Sequence, residues 1–180
     1  MAKKDNILGI AYFGLGTPGD GVMGATLTEF KDIEVGSVGI EGSQANETTI
    51  PTEADDAYLT LSDTATPTSA TARLYGVTPE QLVILMGGEV DATVGGPDEG
   101  KWLAPASVPN IYLSMKIEGY AIDGEKAVIK FPYAKVSARL QGNITKNGLP
   151  AVDVTITANT PESAAGVKGA PFIYGTETVV

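Results

Sequence analysis

One short segment, residues 74–88, constrains the fold of this chain most, because it is the clearest helix in a sequence otherwise rich in strand and turn patterns. Thr78 is a natural N-cap, since its hydroxyl can accept a hydrogen bond from an unpaired backbone N–H of the first turn. Pro79 falls at the first helical position, and the glutamine three residues after Thr78 can complete a capping box. Gly87 or Gly88 can end the helix in the left-handed conformation. These signals predict a helix about 12 Å long, at 1.5 Å per residue.

The body of this helix, residues 82–86, is apolar on every side. A helix without a polar face is expected to be buried rather than laid on a surface. A sheet must therefore cover it. The natural docking surface is the apolar face of the strongest predicted hairpin, which carries Ile111, Leu113, Met115, Ile117, Ile129 and Phe131.

That hairpin begins at Asn110, where apolar and polar residues alternate with the period of a sheet buried on one face. A three-residue loop at 122–124 places Gly124 at the left-handed position of a type I turn with a G1 bulge. Pro132 interrupts the return strand, which implies an edge or a bulge there. The predicted register opposes Ile117 to Ile129, Met115 to Phe131 and Leu113 to Tyr133.

Length and patterning together predict one domain spanning residues 1–180. The fold class is mainly β: an antiparallel β-sandwich or open barrel with one short α-helix packed on its flank. Residues 1–28, which include a predicted strand at 7–13 and then a glycine-rich stretch, are expected to form a mobile N-terminal arm and loop. Residues 41–69 are expected to form a long polar loop with short strands at 48–50 and 58–61. Residues 30–41 are expected to form a strand with a bulge at Gly36.

The composition argues against several kinds of chemistry. The chain has no cysteine and no histidine, so a disulfide, a thiolate and a Ser-His-Asp triad are impossible. A Ser–Lys pair or paired carboxylates remain open as a hydrolase hypothesis, but no local motif supports either. We therefore predict a protein that is not an enzyme, with no catalytic or cofactor-binding residue, no metal site and no cofactor.

The net charge is −10 and is unevenly distributed. Residues 1–100 carry 16 acidic and four basic side chains, whereas residues 101–180 carry six acidic and eight basic ones. Such a protein is not expected to grip the phosphate backbone, because that affinity rests on Lys and Arg. No apolar stretch approaches the roughly 20 residues needed to span a bilayer, so membrane insertion is not predicted.

Gly14, Gly16 and Gly19 match the dinucleotide-binding fingerprint in letters. That fingerprint requires a helix whose N-terminus meets the pyrophosphate. Pro18 and the further glycines of this stretch oppose such a helix. A glycine loop without a nucleotide is therefore the favoured interpretation.

Two carboxylate clusters and four aromatic side chains leave alternatives open. Ca²⁺ binding by the carboxylates is possible, although neither spacing matches an EF-hand, and solvated loop charge is favoured. The aromatic side chains suit either a stacking platform for sugars or bases, or cross-strand packing, which is favoured. The acidic residues are Glu53, Asp55 and Asp56, then Asp98 and Glu99; the aromatic ones are Trp102, Tyr112, Tyr120 and Tyr133.

A strand ending in Leu74-Tyr75-Gly76, a short capped apolar helix and then Gly87-Gly88 resemble the core of phage major tail tube proteins. The order of the other elements resembles that family in outline over most of the chain. The resemblance implies a β-sandwich with one flanking helix, assembled as a hexameric ring and stacked into a tube with an electronegative lumen. An acidic wall would let DNA slide without sticking.

The resemblance thus implies a structural virion protein of the viral tail, assembled in the host cytoplasm, that self-assembles into a conduit for genome ejection. Its implied partners are other copies of itself and other tail proteins: the tape measure, the tail terminator, and the baseplate or sheath. DNA would pass without specific binding. A β-sandwich binding module, such as a capsid decoration, fibre or adhesin domain, is the alternative.

Overall fold

The computed structural model describes residues 9–62, 67–142 and 150–179. This part of the chain contains twelve strands and one helix. In chain order they are β1 (Tyr12–Gly16), β2 (Thr28–Glu29), β3 (Gly39–Glu41), β4 (Glu47–Ile50), β5 (Leu59–Ser62), β6 (Ser69–Leu74), α1 (Pro79–Met86), β7 (Glu89–Val90), β8 (Trp102–Leu103), β9 (Ile111–Glu118), β10 (Glu125–Gln141), β11 (Ala151–Ala158) and β12 (Ile173–Thr178).

Eight of the strands form one antiparallel sheet in the order β2-β1-β9-β10-β11-β6-β3, with β12 also paired to β10. The 17-residue strand β10 organises this sheet. Its first part pairs with β12 and its last part with β11, while β9 lies along the opposite side. The strand content, the antiparallel pairing and the single short helix confirm the predicted fold class.

The core lies on one face of this sheet and gathers apolar side chains from most of its strands. Phe131 of β10 is wholly buried, and its ring meets Phe172 edge to face with centroids 5.5 Å apart. Phe13 and Phe30 form a second edge-to-face pair at 6.3 Å. The other fully buried large side chains are Leu15, Leu74, Leu85, Met115, Ile117, Ile156, Val152 and Val154.

The ends of α1 confirm the prediction made from local signals. Thr78 accepts a hydrogen bond from the backbone N–H of Gln81, and the Gln81 side chain accepts one from the backbone N–H of Thr78. Gly87 ends the helix with φ of +74°. Local capping chemistry therefore decides where this helix begins and ends.

The expected burial of α1 is wrong, because Leu85 alone among its residues is fully buried. Leu82, Ile84 and Met86 pack on the core but stay half-exposed. The helix lies against β10 and against the small β7–β8 hairpin, rather than over the centre of the β9–β10 hairpin. A helix on the flank of a sheet packs against the sheet with one side only. The other side of α1 therefore stays exposed.

The β9–β10 register is confirmed at two of its three predicted pairs. Ile117 lies opposite Ile129, and Met115 lies opposite Phe131. The third pair is wrong, because Leu113 lies opposite Ala134 rather than Tyr133. The register shifts between Phe131 and Ala134, where Pro132 cannot donate to the ladder, so the predicted bulge is confirmed.

The predicted three-residue turn between β9 and β10 is also wrong. Ile122 and Glu125 exchange two backbone hydrogen bonds of 2.7 and 3.1 Å, which leaves a two-residue loop. Asp123 and Gly124 have φ of +52° and +79°, as a type I′ turn requires at both positions. An extra residue on the β9 side, after Gly119, restores the register of the strands.

Two further expectations from the N-terminal half are corrected. Residues 30–41 do not form a bulged strand, because a turn at Val35 and Gly36 separates an isolated bridge at Ile33 from β3. Gly36 has φ of +77° and Val35 is fully exposed. The first predicted strand, residues 7–13, instead runs from Tyr12 to Gly16 as β1, and residues 7 and 8 lie outside the described residues.

Candidate assembly surface

Within the predicted polar loop at 41–69, β4 and β5 form a two-stranded sheet of their own. Residues 63–66 of this loop lie outside the described residues. All eight residues of the two strands are exposed, and neither strand pairs with the main sheet among the described residues. The hairpin therefore projects from the folded body of the protein.

The two faces of this hairpin differ in chemistry. Thr48 lies opposite Leu61, and Ile50 lies opposite Leu59, so these side chains share one apolar face. The second face carries Glu47, Thr49, Thr60 and Ser62. Ile50, Leu59 and Leu61 are 43%, 44% and 49% exposed. The apolar face of the hairpin thus resembles the inner face of a sheet, but its side chains are exposed.

An isolated two-stranded hairpin is marginally stable in water, because it has too little apolar surface to bury. In the described part of the chain no third strand pairs with either outer edge, and unpaired backbone N–H and C=O groups at an edge favour pairing with another chain. The β4–β5 hairpin has both properties and an exposed apolar face. These features favour a contact in which another surface covers the hairpin.

The connection between β4 and β5 carries the first acidic cluster of the sequence analysis. Thr52 and Asp55 exchange backbone hydrogen bonds, and the Asp55 carboxylate accepts one of 3.0 Å from the N–H of Ala57. Residues 41–62 hold five acidic side chains and no lysine or arginine. The hairpin is consequently a strongly acidic projection.

The second acidic cluster is engaged locally. Asp98 pairs with Lys101 at 2.8 Å, and the Glu99 carboxylate accepts a hydrogen bond from the N–H of Gly95. Among the described residues, no three carboxylates come close enough to hold a metal ion. Asp55, Asp98 and Glu99 thus form their hydrogen bonds and ion pair within their own loops. This arrangement does not support calcium binding.

A charged surface that the sequence analysis missed lies on the outer face of β9, β10 and β12. Lys116 bonds Glu118 at 2.6 Å and Glu177 at 2.8 Å. Lys126 bonds Glu118 at 2.6 Å, and Lys130 bonds Glu177. We call these five residues the ion-paired face. The alternation of Lys and Glu along strands was a signal for it, but the contribution of Glu177 depends on the long-range pairing of β12.

Mutual pairing shifts the titration of this face. Hydrogen bonds from Lys116 and Lys130 lower the pKa of Glu177 to about 2. Burial opposes ionisation of Glu118, but its hydrogen bonds with Lys116 and Lys126 outweigh that effect and lower its pKa. Both glutamates of the ion-paired face are therefore ionised at neutral pH, and each is paired with two lysines.

The glycine fingerprint is not followed by the helix that a dinucleotide site requires. Gly14 and Gly16 belong to β1, and an irregular loop follows where a helix would be needed. A side chain at Gly16 would lie 2.1 Å from the carbonyl oxygen of Thr26, so close packing explains that glycine. The loop is attached to the sheet by Gly24, whose N–H donates to Ser114 Oγ at 2.8 Å. The predicted mobility of residues 1–28 stays a prediction.

The four aromatic side chains do not gather into one platform. Tyr112 and Tyr133 stack with ring centroids 5.1 Å apart and planes 2° from parallel. Trp102 lies elsewhere and donates its indole N–H to the carbonyl of Gly87, at the end of α1. Tyr120 is exposed beside the β9–β10 turn. Two of the four therefore contact each other, across neighbouring strands, as the packing interpretation requires.

Comparison with known proteins adds no family to this description. The sequence matches no family model, and no curated protein matches it significantly. In the described part of the chain, no helix is long and apolar enough to cross a membrane.

Proposed function

We propose that this chain is a structural virion protein that self-assembles into hexameric rings, and that these rings stack into a tail tube. The tube would serve as a conduit for DNA into the host. The proposal rests on the resemblance around residues 74–88, and on one observation in the fold: the exposed β4–β5 hairpin with its apolar face. In a protein that stays monomeric, this hairpin would leave its apolar side chains exposed to water.

A projecting hairpin is compatible with rings and tubes. When it docks on a different surface of the next copy and the exchange is not reciprocal, the contact is head-to-tail. Such contacts generate a closed ring when the rotation closes, and an open filament when it does not. One projecting hairpin per copy thus suits a ring, and stacking needs further contacts between rings.

The charge of the chain fits the proposed conduit. At net −10, the protein carries the same sign as the nucleic acid that would pass through it. Like charges across a lumen prevent adhesion of the phosphate backbone, which would otherwise slow its passage. Under this proposal the stacked rings contact the tape measure, the tail terminator, and the baseplate or sheath.

Negative-stain electron microscopy of the purified protein, with mass measured by light scattering, tests the proposal. Six-fold rings or hollow rods are the expected result. A strict monomer at high concentration, even after addition of a tail-initiation partner, would contradict it. A discrete compact oligomer that never stacks, and that binds glycan or capsid, would instead indicate the β-sandwich binding module.

A further inference from the structure

We propose that β4 of one copy adds as a strand to the free edge of β10, residues 137–141, in the next copy. This inference rests on the proposed self-assembly and names the surface that receives the hairpin. It follows from three properties of the β10 edge: unpaired backbone, an apolar cleft beside it, and a row of outward-facing side chains with positive charge.

The first property is the unpaired backbone along one side of β10 at residues 137–141. On one side, β11 pairs with β10 as far as Gln141. On the other side, the register with β9 ends where Val136 lies opposite Ile111. In the described part of the chain, no strand pairs with residues 137–141 on that side. This leaves a five-residue edge of the kind that accepts an added strand, and β4 has four residues.

An apolar cleft lies directly beside this edge. Its volume is about 330 Å³, and the end of α1, the segment 104–111 and β10 form its walls. Met86 and Val108 line it together with Val136 and Ala138. Val108 is 95% exposed, and Leu140, two residues beyond Ala138, is 61% exposed. The cleft is therefore an uncovered extension of the core.

The alternation of side chains matches between the two strands. On β10, Val136 is buried and Ala138 packs on the core, whereas Lys135, Ser137 and Arg139 face outward. On the hairpin, the apolar face continues the inner side of the sheet if β4 lies along this edge. Its polar face then continues the outer side, as the period of two in a strand requires.

Charge selects β4 rather than β5 for the position beside β10. The outward residues of β4 are Glu47 and Thr49, whereas those of β5 carry no charge. The outward row of β10, with Lys135 and Arg139, faces them. The Arg139 side chain is 74% exposed, and its ion pair with Asp153 is long, at 3.8 Å. Opposite charges on adjacent strands stabilise their pairing.

The whole chain lacks cysteine, so an engineered disulfide forms without competition from native thiols. Thr49→Cys and Ser137→Cys proteins, one of them tagged, are mixed under assembly conditions and oxidised. Both positions face outward in the proposed pairing, so a covalent heterodimer is expected. Arg139→Cys provides a second outward position two residues further along, in case the register places it closer.

Thr48→Cys is the matched control, because its side chain lies on the opposite face of the same strand. Paired with Ser137→Cys, it should give no heterodimer above background, since two cysteines on opposite faces cannot meet the geometry of a disulfide. Equal yields from Thr48→Cys and Thr49→Cys would overturn the inference. Unchanged thermal unfolding of each variant verifies that the substitutions leave the fold intact.

Hydrogen exchange of the wild-type protein gives a second test without any substitution. Amides of residues 137–141 that face the free edge should exchange rapidly in the monomer and become protected on assembly. Rings or rods in which these amides stay unprotected, and no cysteine pair joins, would overturn the inference and leave the proposed function standing. Specific crosslinking in a compact oligomer that never stacks would support the inference and contradict the tail tube. A strict monomer would contradict both.

Discussion

The ion-paired face and the β4–β5 hairpin are both polar or exposed regions of strand, yet they differ in how their interactions are satisfied. On the ion-paired face, three lysines and two glutamates bond one another within the chain. On the hairpin, three large apolar side chains are exposed, and residues 41–62 hold five acidic side chains with no lysine or arginine among them. The charges of the first region are paired within one copy, whereas the second has an exposed apolar face that we propose another copy covers.

This contrast separates stability from assembly. Substitutions in the core and on the ion-paired face should change the free energy of unfolding of the monomer. Substitutions on the hairpin should leave that quantity almost unchanged and alter association instead. The following predictions test this separation, from the largest effect to the smallest.

Phe131→Ala should lower the free energy of unfolding by about 4 kcal/mol, because it removes a wholly buried ring and leaves a cavity. Leu61→Ala, on the hairpin, should change it by less than about 0.5 kcal/mol. Urea denaturation at a concentration low enough to keep both proteins monomeric measures the two values. Equal losses would show that the hairpin is part of the cooperative core, against the separation.

Leu61→Lys should weaken association by about 3 kcal/mol, or roughly a hundredfold in the dissociation constant, because it places a charge in the apolar face. Thr60→Lys adds the same charge one residue away on the opposite face and serves as the control. Sedimentation velocity over a concentration series compares them. The account fails here if both variants assemble like the wild type.

Glu177→Gln should lower the stability at pH 7 by about 1 kcal/mol, a figure reduced for the partial exposure of the side chain. The folded pKa of Glu177, about 2, lies below its ordinary value of 4.5. Its stabilisation is therefore present above pH 4.5 and is lost as the pH falls towards 2.

Thermal unfolding between pH 2 and 7 measures this effect, with Glu53→Gln on the hairpin connection as the control. The wild type and the control should lose this increment of stability in acid, whereas Glu177→Gln should show a flatter profile. Identical profiles for all three proteins would exclude a stabilising role for the ion-paired face.

Glu47→Lys should weaken association by about 0.5 kcal/mol, because it replaces an attractive cross-strand pair with a repulsive one. Adding Arg139→Glu in the same chain should restore association, since each contact between copies again joins opposite charges. Light scattering at low and high salt measures both, and salt should diminish the difference. Failure of the double variant to recover would argue against pairing between β4 and β10.

Local signals predicted more of this fold than long-range ones. The ends of α1 follow from the chemistry of Thr78 and Gly87, which acts within one turn. The pairing of Ile117 with Ile129 follows from strict alternation in two adjacent strands. The turn at Asp123 was predicted wrongly, because an extra residue before it shifts the register by one.

The candidate site was harder to predict. The short strands around residues 48–50 and 58–61 were visible, but nothing local shows that they pair with each other and leave their apolar face uncovered. The ion-paired face needs β12 beside β10, a contact 47 residues apart in the chain between Lys130 and Glu177. The partial exposure of α1 likewise depends on how far the sheet extends beneath it.

Electron microscopy of the wild-type protein beside Leu61→Lys and Thr60→Lys, all at the same high concentration, tests the central claim most directly. The account predicts six-fold rings or hollow rods for the wild type and for Thr60→Lys, and folded monomers for Leu61→Lys. Folded monomers in all three samples, even with a tail-initiation partner, would contradict the assembly claim, and rods in all three would contradict the role of the hairpin.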